Sequence, residues 1–538
     1  MSNIEVYVER RNSIKTMRWY RVIYTLCFFA LCIIDWMAGS MEGRVQFIST
    51  NCTGIVIAII ILSGYRLKDF FKPVYVIWTG LVIVSVPLAV LFLMPYYPYK
   101  GQFISGMVNI CIYGYIVIRV SIRQIYEKKS NVNFIVFFIW IAMLALMLVS
   151  RNEAIWPLWF AAMFGSFYLT EYEKGKKILI YKGLIDGVIL GFFAIQGAAL
   201  LFRPYDIVRY MGMYLNCNIN ALFYLTSFCA LLCKLFILIK ENKNMVFRVI
   251  TFFLAGSMFG FTIMTGSRAT VLSLIAVFVP FLISGFKYFK KKARTVTVYI
   301  VSLILVATIS VPVTFMAVRY VPTIHLHPVF FMDEYNNPGK IHSGDPRDSE
   351  KYVTFDYMVN YCIGGRLSNI FPQKLSDAIE TALPVMQAYA AEAGTPEKEY
   401  LIEKAEDLSG FNIRYQIHKW YLKKLNLFGH SNDEHGVPLT SRLIAPHAHN
   451  WWLQLTFNFG IPVGILLLCG VALYVKIFFS LLKSGNDFFA CIIGCFTTAF
   501  LVFGFLEVDY FLGQLPFTLF FLLFALVVQR DHETVKTK

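Results

Sequence analysis

Apolar runs of about 20 residues with little or no charge recur along this chain. A run of that length can cross a bilayer as a helix. With 57% hydrophobic and only 15% charged residues, the chain lacks the polar surface a soluble protein of this size needs. The pattern predicts an all-α polytopic membrane protein of about 14 transmembrane helices (12–14). The predicted spans are 20–39, 46–65, 73–95, 101–121, 132–150, 154–170, 183–202, 217–239, 246–265, 268–286, 296–317, 458–480, 487–506 and 511–528. They divide the chain into an N-terminal transmembrane bundle of about 11 helices (1–317), a large polar loop (318–446) and C-terminal helices (447–538). The basic residues before the first span are read as the flank of an uncleaved helix, because its run is long and carries Asp35 and Trp36.

The net charge of +16 does not point to nucleic acid, because the basic residues punctuate the apolar runs instead of lining one face. With the N-terminus in the cytoplasm, the cytoplasmic segments collect 30 of the 49 Lys and Arg residues, the short outer loops 6 and the long polar region 13. Short loops decide topology, so both termini are expected in the cytoplasm and 318–446 outside. Labelling of Asn337→Cys from outside intact cells, with Lys128→Cys protected, checks this; modification of Lys128→Cys from outside overturns it.

The polar region is too long for a plain connector. Helices are predicted over Pro372–Ala393, from a start at Thr395-Pro396, and over Phe411–Leu427, the last stopped by Gly429. Ten of the 11 cysteines fall in or at the ends of apolar runs; Cys362 alone lies in the polar region, which excludes an internal disulfide there. No C-x-x-C pair or zinc-ligand spacing stands out, and no metal or cofactor is expected.

The stretch from Arg442 to Gly464, RLIAPHAHNWWLQLTFNFGIPVG, holds the candidate chemistry. His447 and His449 stand at the border between the polar region and membrane, where an imidazole can face water and take a proton. The plain alternative is that they anchor a helix at headgroup level with Trp451 and Trp452. Pro446 suits a helix start near His447, which would point the two imidazoles apart and leave one for the site. His449 is the expected base and His447 its helper, with Asn450 fixing a tautomer or a sugar hydroxyl.

Few arginines lie in short outer loops. Arg209 precedes Asn216 and Asn218, Arg268 ends Thr265-Gly266-Ser267, and Arg414 sits on the last loop helix. Each can be read as snorkelling to headgroups. Together they suit phosphate, because guanidinium is always charged and offers forked donors. An outer-leaflet ligand with phosphate and a lipid tail is a lipid-linked pyrophosphate. The outer-side acids Asp206, Glu153, Glu507 and Asp509 are read as structural, although Glu507 and Asp509 could orient a sugar.

RYMG with Asn216-Cys217-Asn218, TGSR at Arg268, the stretch Asn412–His430, and PHAHNWWLQ followed by Gly460-Ile461-Pro462 resemble the O-antigen ligase/polymerase superfamily of bacterial membrane glycosyltransferases. The blocks are short but span about 209 to 464 in the family's order. The resemblance implies a GT-C-like, metal-independent enzyme of the bacterial inner membrane, with its active site on the extracytoplasmic face. It implies an undecaprenyl-pyrophosphate-linked glycan as donor and acceptor. Arg209, Arg268 and Arg414 would bind pyrophosphate, His449 would be the catalytic base, and His447, Asn450, Asn216 and Asn218 would support them. Membrane lipids, a flippase and a chain-length regulator are the partners it implies. Arg366 competes with Arg414 for the loop-arginine role, and the insertion at 337–410 is larger than the family pattern suggests.

A polymerase of surface polysaccharide, whether O-antigen, capsule or exopolysaccharide, is preferred to a ligase, because a growing chain needs a second glycan site and the loop is large. A flippase would want ionisable groups at the midplane and two related halves; Asp35 and Asp186 are the acids well inside spans, and no half-repeat is visible. A metal-dependent enzyme would want acids in the first outer loop, where Glu42 stands alone. A metalloprotease would want HExxH, which does not occur, and His430 with His435 is no substitute.

Overall fold

A computed structural model describes residues 3–40, 44–63, 100–127, 132–172, 174–205, 209–289, 292–324, 353–358, 410–431, 434, 436–440, 443–508 and 514–529, with scattered positions between 72 and 88. The described elements are α1 (Asn3–Ser40), α2 (Arg44–Leu62), α3 (Lys100–Glu127), α4 (Phe134–Val149), α5 (Ile155–Leu169), α6 (Lys174–Phe202), α7 (Cys217–Lys240), α8 (Met245–Met264), α9 (Arg268–Gly285) and α10 (Lys292–Tyr320). After the polar region come α11 (Gly410–Lys424), the strands β1 (Val437–Thr440) and β2 (Leu443–Ala445), then α12 (Trp451–Phe459), α13 (Ile461–Lys483), α14 (Asp487–Leu506) and α15 (Leu515–Val528).

Among the described residues, nine helices are long and apolar enough to cross a membrane, and four more are apolar but shorter. The chain is an all-α polytopic membrane protein. The predicted span 73–95 falls almost wholly outside the described residues, as do Arg366, Asp206, Asp509, His435, and the predicted helices at Pro372–Ala393 and after Thr395. The third loop helix is present as α11.

Small residues let helices approach closely where lipid supplies no hydrophobic drive. Gly183, Gly187 and Gly191 make such a stripe on α6: a Cβ at each would come within 2.5–2.7 Å of Tyr24, Phe28 and Cys32 of α1. Partly buried charge between α1, α6 and α7 is paired. Asp186 of α6 accepts from Arg21 of α1 at 2.5 Å and from Lys234 of α7 at 2.6 Å. Asp35 accepts from the backbone N–H of Leu515 at 2.8 Å, tying α1 to the start of α15.

The expected span 458–480 is present as α13, Ile461–Lys483, and a break at Gly460 parts it from α12. Gly460 takes φ +96°, a conformation that L side chains rarely adopt, and ends α12, while Pro462 sits in the first turn of α13. A Cβ at Gly460 would also fall 2.2 Å from the Leu427 carbonyl oxygen, so the break is where the loop after α11 lies down on the membrane helices. Ile461 N–H donates to Asn426 O at 2.9 Å, and Arg151 N–H to Phe428 O at 3.0 Å, fixing that loop to both halves of the bundle.

α9 and α14 run antiparallel. Lys287, just past α9, pairs with Asp487 at the start of α14. Seven residues away on each helix, Gly494 meets Pro280. Carried on at equal rise per residue, this register brings Arg268 level with Leu506, one residue before Glu507 in the chain.

Candidate active site

β1 and β2 form a short antiparallel ribbon that leads into the histidines. The helix does not begin at His447 as expected. It begins at Trp451, with Asn450 as its cap: the Asn450 side chain accepts from Leu453 N–H at 2.9 Å. Pro446 and the two histidines therefore lie in the entry loop. His449 takes φ +49°, the left-handed region that few non-glycine residues visit. Ala448 N–H donates to Gln454 Oε1 at 2.8 Å and holds this turn. The consequence reverses the expectation that the imidazoles diverge: their ring centroids are 4.3 Å apart.

Glu507, the C-cap of α14, completes the site. His449 Nδ1 lies 2.5 Å from Glu507 Oε1, and Arg414 of α11 donates to Glu507 Oε2 at 2.8 Å and to Leu506 O at 3.1 Å. Burial works against a charged Glu507, but the hydrogen bond and charge of His449, with Arg414 behind them, hold its carboxyl down at about 2. Glu507 is thus an acceptor, and His449 Nδ1 carries the proton between them. That leaves His449 Nε2 as the basic nitrogen.

His447 is more enclosed, and its Nδ1 finds no partner among the described residues. Burial, then the neighbouring His449, lowers its pKa to about 4, so it is neutral at pH 7. His418 of α11 packs beneath this turn, and burial lowers its pKa as well. An unfolded histidine near 6.5 binds a proton that folded His447 refuses. Stability should therefore rise with pH from about 4 to about 6.5, by roughly 3 kcal/mol from this residue. Melting temperatures of His447→Gln at pH 7, 6 and 5 should show a flatter fall than the unaltered protein; parallel curves would contradict the assignment.

Arg209 is held in place by Thr265 O at 2.8 Å and Asn218 Oδ1 at 2.6 Å. Asn216 caps α7 by accepting from Asn218 N–H at 2.8 Å. Arg209 is thereby anchored at Thr265, three residues before Arg268, at the end of α9 that the register sets level with Leu506. Arg268 is exposed and has no ion pair or hydrogen bond to a described residue. Of the three arginines, then, Arg268 is uncommitted, Arg209 is partly committed to neutral acceptors, and Arg414 has its charge matched by Glu507.

Three readings of the sequence change. Asn450 caps α12 and donates to Phe505 O at 3.0 Å, so its amide is engaged in structure. Trp451 packs on Phe500 and Phe517, and Trp452 donates to Gly464 O at 2.9 Å; both are packing residues between helices. A ligand-type cluster does exist, because donor atoms of His447, His449 and Glu507 lie within 4.8 Å of one another. The Glu507 carboxylate of this cluster also accepts from Arg414. His430, by contrast, is bonded to Glu434 and stacked on Phe457, away from this group.

A largely apolar cavity of about 340 Å³ lies alongside, lined by α4 and α5 (Trp140, Trp156), α12 (Trp452) and the end of α14 (Phe505). No known protein family, characterised protein or solved structure matches this chain.

Proposed function

We propose that this chain is a GT-C-like membrane glycosyltransferase that polymerises undecaprenyl-pyrophosphate-linked repeat units into a surface polysaccharide. The carrying observation is the Glu507-oriented His449 at the bundle end where Arg268 is exposed and bonded to no described residue. His449 Nε2 takes the proton of the acceptor hydroxyl as its oxygen forms the bond to sugar C1. The bond from C1 to the pyrophosphate oxygen breaks, and its electron pair leaves with the lipid pyrophosphate. Arg268 and Arg209 stabilise that growing negative charge. Glu507 fixes the His449 tautomer and balances the imidazolium that forms. The apolar cavity beside α12 suits a lipid-linked donor better than a water-soluble one.

In this reading the chain crosses the bacterial inner membrane about fourteen times, both termini are cytoplasmic and the site faces outward. The lipid-linked donor and acceptor, a flippase and a chain-length regulator are its partners. Ligation to a different acceptor would use the same residues; the two are separated by supplying purified protein with lipid-linked repeat units alone. Longer lipid-linked products support a polymerase, and transfer only after adding a second acceptor supports a ligase. The paired charges Arg21, Asp186 and Lys234 inside the bundle favour a transporter as second reading. Lipid-linked glycan flipping in vesicles without any new glycosidic bond would establish it.

Arginines take the place of a metal here, so turnover should continue in excess chelator. Loss of activity on chelation with rescue by Mg²⁺, Mn²⁺ or Zn²⁺ would assign His447, His449 and Glu507 to a metal instead.

A further inference from the structure

At the opposite end of the bundle, α7 packs against α14. Each helix carries two cysteines one turn apart: Cys229 and Cys233 on α7, Cys491 and Cys495 on α14. Residues four apart share a helix face. Both pairs face the contact, for the Sγ atoms of Cys233, Cys491 and Cys495 lie within 4.8 Å of one another, and all three side chains are fully buried. Cys229 stands beside them, its Sγ donating to Cys495 O at 3.5 Å. All four are free thiols. On a helix the C-x-x-x-C spacing aligns two sulfurs, and a second helix is needed to supply the third.

We infer that Cys233, Cys491 and Cys495 form a binding site for one Cu⁺ ion, which clamps α7 to α14. Thiolate ligands are soft and select soft cations. Sulfurs bound at about 2.3 Å to one metal stand roughly 4 Å apart, within the spread seen here. Charge decides between cations. Burying net charge among membrane helices is costly. A monovalent ion with one thiolate and two neutral thiols leaves none, whereas a divalent ion needs two thiolates. Binding thus releases one proton, from the thiol that becomes the thiolate. Cys491 lies one turn, about 6 Å, from Asp487, whose carboxylate meets Lys287 and accepts from Tyr288 at the helix end. The clamp acts on structure and not on chemistry. Fifteen residues of α14, about 22 Å, separate Cys491 from Leu506. Its two helices carry the two sides of the candidate site: the first turn of α7 holds Asn218, which accepts from Arg209, and α14 ends at Glu507.

The test uses full-length protein purified in detergent under reducing conditions and titrated with Cu⁺ against bicinchoninate. One Cu⁺ per chain is expected, with X-ray absorption giving a first shell of sulfur alone. Cys233→Ser and Cys495→Ser should lose the ion, and Cys469→Ser should keep it. Cys233→Ala, which preserves an apolar contact, serves if serine disturbs the helices. Failure of the unaltered protein to hold Cu⁺ against the competitor would overturn the site. So would nitrogen or oxygen in the first shell, which would move the ion to the histidine cluster. Neither outcome depends on glycosyl transfer, so failure here leaves the enzymatic reading standing.

Discussion

Alanine in place of His449 is expected to lower glycosyl transfer by about 10²–10⁴-fold, the usual cost of losing a general base, without loss of protein from the membrane. Glu507→Gln should approach the same loss although it never touches the acceptor. The amide keeps the shape but not the charge, so it neither holds the proton on His449 Nδ1 nor balances an imidazolium. It also leaves Arg414 beside an uncharged partner. Because the two residues act as one unit, the double variant should be little worse than either alone. His447→Ala should keep clear residual activity, since no described residue accepts from or donates to His447 Nδ1 to orient the ring. Initial rates with a lipid-linked donor decide the matter. The reverse ranking of the two histidines would reassign the base to His447, and full activity in both would remove histidine from the mechanism.

The helices were legible because apolar runs of bilayer length need no tertiary information, and α11 and α14 stand where periodicity and hydropathy put them. The site was legible in part. His449 and the arginines stood out as charge or titratable groups at the ends of apolar runs. Glu507 did not, because its partner lies 58 residues away in the chain and nothing local separates it from a capping acid. The start of α12 was misread for a local reason: Pro446 is compatible with a helix start, but the Asn450 side chain caps a helix four residues later. That shift turned two diverging histidines into a touching pair. The cysteine cluster was invisible for the same reason as Glu507, since its sulfurs meet only when α7 packs on α14.

Arg268→Ala should cost about 10²–10³-fold in turnover, as removal of one fixed donor to a developing charge does. Arg268→Lys should recover only part of this, because it restores the charge and not the planar fork. The position of Arg268 makes the experiment clean. Its side chain is exposed and bonded to no described residue, so neither variant should shift the melting temperature. Arg209 and Arg414 behave otherwise. Arg209→Lys breaks the bonds to Thr265 and Asn218, and Arg414→Lys disturbs Glu507, so both should change stability and activity together. Arg414→Lys should also displace the pH profile of turnover through the Glu507–His449 pair, whereas Arg268→Lys should lower turnover at every pH alike. A pH-rate series on the three variants, with melting curves alongside, tells leaving-group stabilisation from positioning. Full activity in both Arg268 variants would remove the pyrophosphate role from this residue and leave Arg209 to carry it.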